Sequence, residues 1–163
     1  MDVVFTKVDD GRLCRWTAQP PGRKRFVGST MASGRQLPHD LAHFVVEEAL
    51  GLESGFWGLV AKGATFASVA GRRPTRPGRE LVRAHQANLA AAEGVVNAHL
   101  KAWLAGQATP VAAALESMLA RWRSLNDGEE LQLRWPASTR VRRAGAAVLV
   151  VRRTRRDGEV RVR

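Results

Sequence analysis

The chain has 163 residues, 45% hydrophobic and 25% charged, a balance that suits a globular protein with a buried core. The formal charge is +11 and is almost all arginine, the lysines being Lys7, Lys24, Lys62 and Lys101. The longest apolar run, "AGAAVLVV" from Ala144 to Val151, is too short to cross a bilayer, which excludes a spanning helix.

The first stretch, "MDVVFTKVDD", has neither the basic start nor the apolar run of an export signal, so the expected setting is the cytoplasm. "VVFTKV" and "RLCRWTAQ" flank Asp10-Gly11 and read as two strands joined by a tight turn, because Asp-Gly accepts the positive φ a hairpin requires. Cys14 stands alone, which rules out an intrachain disulfide and a cysteine-based zinc finger. "PPGRKR" breaks the pattern with a basic tip, and "FVGSTM" adds a third strand.

A helix is expected from Pro38, whose missing N–H costs nothing in the first turn, with Asp40 facing the positive end of the helix dipole. Leu41, Phe44, Val45 and Leu52 recur at helical spacing and form its buried face. "GLESGFWGLVAKGATF" is glycine-broken but rich in large apolar residues, and reads as a short turn or compact loop packed on that helix. "GRRPTRPGRE" is a linker, followed by one long helix from about Glu80 to Leu104 and, after Gly106, another beginning at Thr109-Pro110. These two make an antiparallel helical hairpin. "LQLRW" alternates like a half-buried strand, and "AAVLVVRRT", Asp157-Gly158 and "EVRVR" suggest a further hairpin. The expected fold class is α+β: an N-terminal β-hairpin or small antiparallel sheet, three main helices including the long hairpin, and C-terminal strands. One domain covers residues 1–151, and residues 152–163 form a basic hairpin strand or a partly disordered tail.

The pattern nearest to chemistry is "HDLAH". On a helix, His39 and His43 lie one above the other, roughly 6 Å apart, and two imidazoles so placed can chelate one ion. The spacing is similar to that of the zincin HExxH motif, in which the glutamate polarises a metal-bound water. Asp40 stands at that position here and is one methylene shorter, which disfavours peptidase chemistry without disfavouring a metal. A third ligand is still required. Glu47 continues the row but lies roughly 12 Å up the axis from His39, too far to close on the same ion. Glu80, His85 and Glu93 are the candidates from farther along the chain. The competing reading has both rings as scaffold, packed against the aromatic loop.

The run "LPHDLAHFVVEEALGLESGFWGLVAKGATF", Leu37 to Phe66, resembles a family of small bacterial proteins sharing an LPHDLxHFVVE…GFWG-like block. The resemblance covers under a fifth of the chain and implies a shared fold element, with no activity attached. Other signatures are missing: "GLVAKGAT" has the lysine on the wrong side of the glycine for a phosphate loop, and "GLESG" puts Ser54 one place late for a nucleophile elbow.

Basic residues cluster at Arg23, Lys24 and Arg25, at Arg72, Arg73, Arg76 and Arg79, at Arg140, Arg142 and Arg143, and at Arg152, Arg153, Arg155 and Arg156. Guanidinium groups hold phosphates through paired hydrogen bonds, so nucleic acid or another polyanion is the expected partner, with Trp16 and Trp135 offered as stacking rings. The leading reading is thus a noncatalytic binding or regulatory protein with no cofactor and an arginine-rich surface. The alternatives are a zinc-dependent hydrolase with His39 and His43 as ligands and Asp40 as base, and a protein-interaction module that binds a partner or dimerises through its alanine-rich helical hairpin.

Overall fold

A computed structural model describes residues 1–33, 36–66 and 75–136. The architecture is α+β. Strands β1 (Asp2–Val8), β2 (Leu13–Gln19), β3 (Phe26–Val27) and β4 (Met31–Ala32) precede helices α1 (His39–Leu50), α2 (Phe56–Lys62), α3 (Arg76–Ala84), α4 (Gln86–Leu104) and α5 (Ala112–Ser124); β5 (Glu130–Arg134) follows. The antiparallel sheet runs β3-β2-β1-β5, with β4 also paired to β2. The C-terminal hairpin or tail expected from the sequence lies outside the described residues.

Alternation sets the two faces of the sheet. Val3, Phe5, Cys14, Trp16, Ala18 and Leu131 point to one side and are buried. Register stacks them: Phe5 sits opposite Trp16 on β2 and opposite Leu131 on β5. The β1–β2 turn is longer than the Asp-Gly pair alone suggests. Asp9, Asp10 and Gly11 all take positive φ, so the loop runs from Asp9 to Arg12 and the strands close at Val8 opposite Leu13. Lys7 shares the inward row, where its ammonium donates to the Leu125 carbonyl at 2.8 Å and lies 5.4 Å from the centre of the Trp122 ring. Burial and the Asp40 charge push the Cys14 thiol up to about 12, so it stays protonated at neutral pH and is no nucleophile.

Five helices are present among the described residues, rather than three. The aromatic stretch after α1 is a helix in its own right, α2. The long helix expected from Glu80 is two helices, because the chain breaks at His85, whose N–H is shared between the carbonyls of Leu81 and Val82. An apolar stripe alone does not reveal that break, since the side-chain period resumes on the far side of it. Thr75 caps α3 by accepting from the Gly78 N–H.

Helix α1 is the centre of the molecule. Leu41 to Glu47 are all buried, and α2, α4 and α5 pack around it. A cluster of rings joins it to the sheet. Trp57 of α2 is wholly buried, its ring centre 4.8 Å from Trp16, 5.1 Å from Phe56, 5.5 Å from Phe44 and 5.6 Å from Phe5. Its indole N–H donates to the Asp40 carbonyl at 2.9 Å, so one residue ties α2 both to the sheet and to the first turn of α1. Close approach needs Gly28: a Cβ there would sit 2.0 Å from the Trp16 ring.

Candidate metal centre

The row His39, His43 and Glu47 climbs one side of α1 at intervals of four, and the fold gives each member different surroundings. His39 is largely exposed, while the side chains of His43 and Glu47 are 4% and 1% exposed. The two rings have centres 4.4 Å apart. Glu93 reaches them from α4, its Oε2 3.5 Å from His43 Nε2. One donor atom from each of His39, His43 and Glu93 falls within 4.8 Å of the other two. Four-coordinate zinc with bonds of ~2.0–2.1 Å needs donors roughly 3.4 Å apart, so small rotations of the two exposed side chains would close the set.

Two carboxylates hold the rings from behind. Glu47 lies 3.2 Å from His43 Nδ1 through Oε1, and also accepts the backbone N–H groups of Phe56 at 3.0 Å and Trp57 at 2.9 Å. It therefore caps the N-terminus of α2, for which Gly55 offers no side chain. The approach is tight, since a Cβ on Gly55 would lie 2.5 Å from the Glu47 carboxyl carbon. Asp40 does the same for His39: Oδ1 faces His39 Nδ1 at 3.0 Å, and Oδ2 accepts the Trp16 indole N–H at 2.7 Å. In the neutral tautomer whose Nδ1 donates to the carboxylate behind it, each ring keeps its lone pair on Nε2. That tautomer is the one second-sphere carboxylates impose on metal-ligating histidines.

Three carboxyl groups, those of Asp40, Glu47 and Glu93, surround the two imidazoles. The hydrogen bond to Asp40 raises the His39 pKa above its usual value; burial opposes this, and the charges of Asp40 and Glu93 assist it. His43 Nε2 is buried without a hydrogen-bond partner, although Glu93 is 3.5 Å away. A neutral imidazole lone pair facing a carboxylate is repulsive. The contact becomes favourable with a proton on Nε2 or with an ion held between the two groups.

His39 and His43, expected as a pair, converge, and of the three candidates for a third donor Glu93 is the one that joins them. His85 sits at the α3–α4 break and Glu80 pairs with Arg76 at 2.9 Å. Asp40, expected as base, has both oxygens engaged. Glu47 is not part of the group that converges, and its spacing of four from His43 is the sign in the sequence of the contact it makes with that ring. Glu47, Glu48 and Glu53 line a separate cleft of about 290 Å³, in which burial raises the Glu48 carboxyl.

Five of the clustered basic residues named above are among the described ones. Arg23, Lys24 and Arg25 are exposed together between β2 and β3, Arg76 is paired with Glu80, and Arg79 is exposed on α3. Arg72, Arg73, Arg140, Arg142, Arg143, Arg152, Arg153, Arg155 and Arg156 lie outside the described residues. Trp16 and Trp135, expected as stacking platforms, are instead 1% and 5% exposed and belong to the core, because both sit on the inward row of the sheet. No helix among the described residues is long and apolar enough to cross a membrane. Comparisons with protein-family models, with curated proteins and with solved structures find no match for this chain.

Proposed function

We propose that His39, His43 and Glu93 hold one divalent ion of the zinc class, and that the protein is a metal-dependent enzyme of hydrolytic type. The observation that carries this reading is the buried, unpartnered Nε2 of His43, aimed at Glu93 with its other nitrogen held by Glu47. Two imidazoles and a carboxylate form a donor set of intermediate softness that suits zinc. The exposed flanks of His39 and Glu93 leave room for further ligands on the solvent side. Structural zinc sites close with four protein ligands, whereas three ligands and an open position mark sites that polarise a carbonyl or lower the pKa of bound water. Asp40, tied to Trp16 and His39, fits an orienting role better than that of a base.

Elemental analysis of the purified full chain is the test. About one equivalent of zinc is expected, as for a mononuclear site, and His43→Ala and Glu93→Ala should each lose it while keeping a native circular dichroism spectrum. Substoichiometric metal unaffected by either substitution would sink the proposal.

A polyanion-binding role is the second reading, supported by the overall charge of +11 and by the exposed run Arg23, Lys24 and Arg25. Its signature is affinity for duplex DNA or RNA that falls steeply as salt rises, through counterion release. Binding that is weak at low salt, or flat across salt concentrations, would remove it.

A further inference from the structure

His39 belongs to two features at once. One flank joins the donor set, and the residue also lines a cleft of about 620 Å³ between the start of α1 and the last turns of α4. The cleft lies within the size range of small-molecule sites. Its walls are mainly apolar, formed by Leu37 and Ala42 on one side and Leu100, Trp103 and Leu104 on the other. Apart from His39, no titratable side chain among the described residues lines it.

Helix geometry puts cleft and donor set in line. Leu100 and Leu104 follow Glu93 by seven and eleven residues, close to two and three full turns, so all three share one side of α4. The span from Glu93 to Leu104 is about 16 Å at ~1.5 Å per residue. Leu104 is 58% exposed, a large apolar side chain at the rim of the cleft with no apolar cover.

From this we infer that the cleft is the substrate site, and that the substrate is an acyl compound: a carbonyl or carboxyl head at the His39–His43–Glu93 end, and an uncharged linear tail running along α4 toward Leu104. The inference rests on the metal reading, since the ion is what would take the head. A charged tail would lose its hydration against mainly apolar walls, and a compact polar substrate would leave most of the cleft unfilled.

The test uses the full chain loaded with Co(II), whose visible absorption reports ligands that zinc leaves silent, titrated separately with acetohydroxamate and octanohydroxamate. Both carry the same metal-binding head and differ by six methylenes. Complete burial of each methylene strengthens binding roughly 4-fold, so six would give about 4,000-fold. In a cleft open along one side, octanohydroxamate is expected to bind at least about 30-fold more tightly than acetohydroxamate. Leu104→Glu, at an exposed position, should cut that advantage by about 10-fold while leaving acetohydroxamate and Co(II) affinities unchanged. Equal affinity for the two hydroxamates on a Co(II)-loaded protein overturns the cleft assignment and leaves the metal centre standing. Failure to take up Co(II) at all overturns the metal centre, and this inference with it.

Discussion

Glu47→Ala is expected to destabilise the protein by about 3–5 kcal/mol, the cost of removing one member of a buried polar set. Three groups lose their acceptor at once: His43 Nδ1 and the backbone N–H groups of Phe56 and Trp57. Water cannot easily replace the carboxylate, because Glu47 and Trp57 are almost wholly enclosed. The near-isosteric Glu47→Gln separates structure from function. An amide has one acceptor oxygen and one donor nitrogen, so it cannot serve both backbone N–H groups and the imidazole in the same pose. One buried donor is stranded either way, which should cost about 1–3 kcal/mol in urea or guanidinium unfolding. The neutral amide also supports His43 less well as a ligand, and loss of such an outer partner typically weakens metal binding about 10–100-fold. A Glu47→Gln protein with unchanged zinc affinity and an unchanged unfolding midpoint would remove the orienting role assigned to this residue.

Trp57→Ala carries an expected penalty of similar size, about 3–5 kcal/mol, through a different mechanism. The ring is the hub at which Phe5, Trp16, Phe44 and Phe56 meet, so truncation leaves a large void lined by side chains that cannot all collapse into it. The indole N–H bond to the Asp40 carbonyl is lost as well, freeing the first turn of α1 that carries His39. Trp57→Phe keeps much of the ring volume but not the N–H. It should cost less than the alanine variant, with a measurable loss of metal affinity from the loosened turn. A domain has only about 5–15 kcal/mol of stability in total, so Trp57→Ala should leave a substantial unfolded fraction at 37 °C. Full retention of thermal stability in Trp57→Ala would show that this cluster is not the keystone described above.

The two predictions share a cause. Glu47 and Trp57 are the points at which α2 is fastened to α1, and α1 carries both histidines. The segment from Leu37 to Phe66 thus supplies two of the three candidate donors, the carboxylates behind them and the wedge that fixes them. Its glycines at 55 and 58 follow from the same close packing: at Gly55 a side chain would strike the Glu47 carboxylate, and at Gly58 it would strike the Glu53 carbonyl.

Much of this was legible in the residues. The alternation of Val3, Phe5, Cys14 and Trp16 declares a half-buried hairpin, because strand side chains have a period of two whatever they pack against. His39 and His43 stack because the helix alone places residues four apart on one side. These are local consequences of backbone geometry, and local geometry is written in local sequence. The break at His85 was not legible, since the stripe of Leu81, Leu89 and Val96 continues through it. Nor was the choice among Glu80, His85 and Glu93 as third donor. Glu93 arrives because α4 docks on α1 through Ala92 and Val96, fifty residues along the chain from the histidines it meets. Likewise, the burial that turns Trp16 and Trp135 into core, and the cleft between α1 and the end of α4, exist only once separate elements have packed. The sequence by itself determined which side chains sit together within each helix and strand. The tertiary structure decided which elements face one another, and that is what can make two helical histidines into a three-donor centre: coordination needs atoms that converge in space, and convergence across fifty residues is a property of packing.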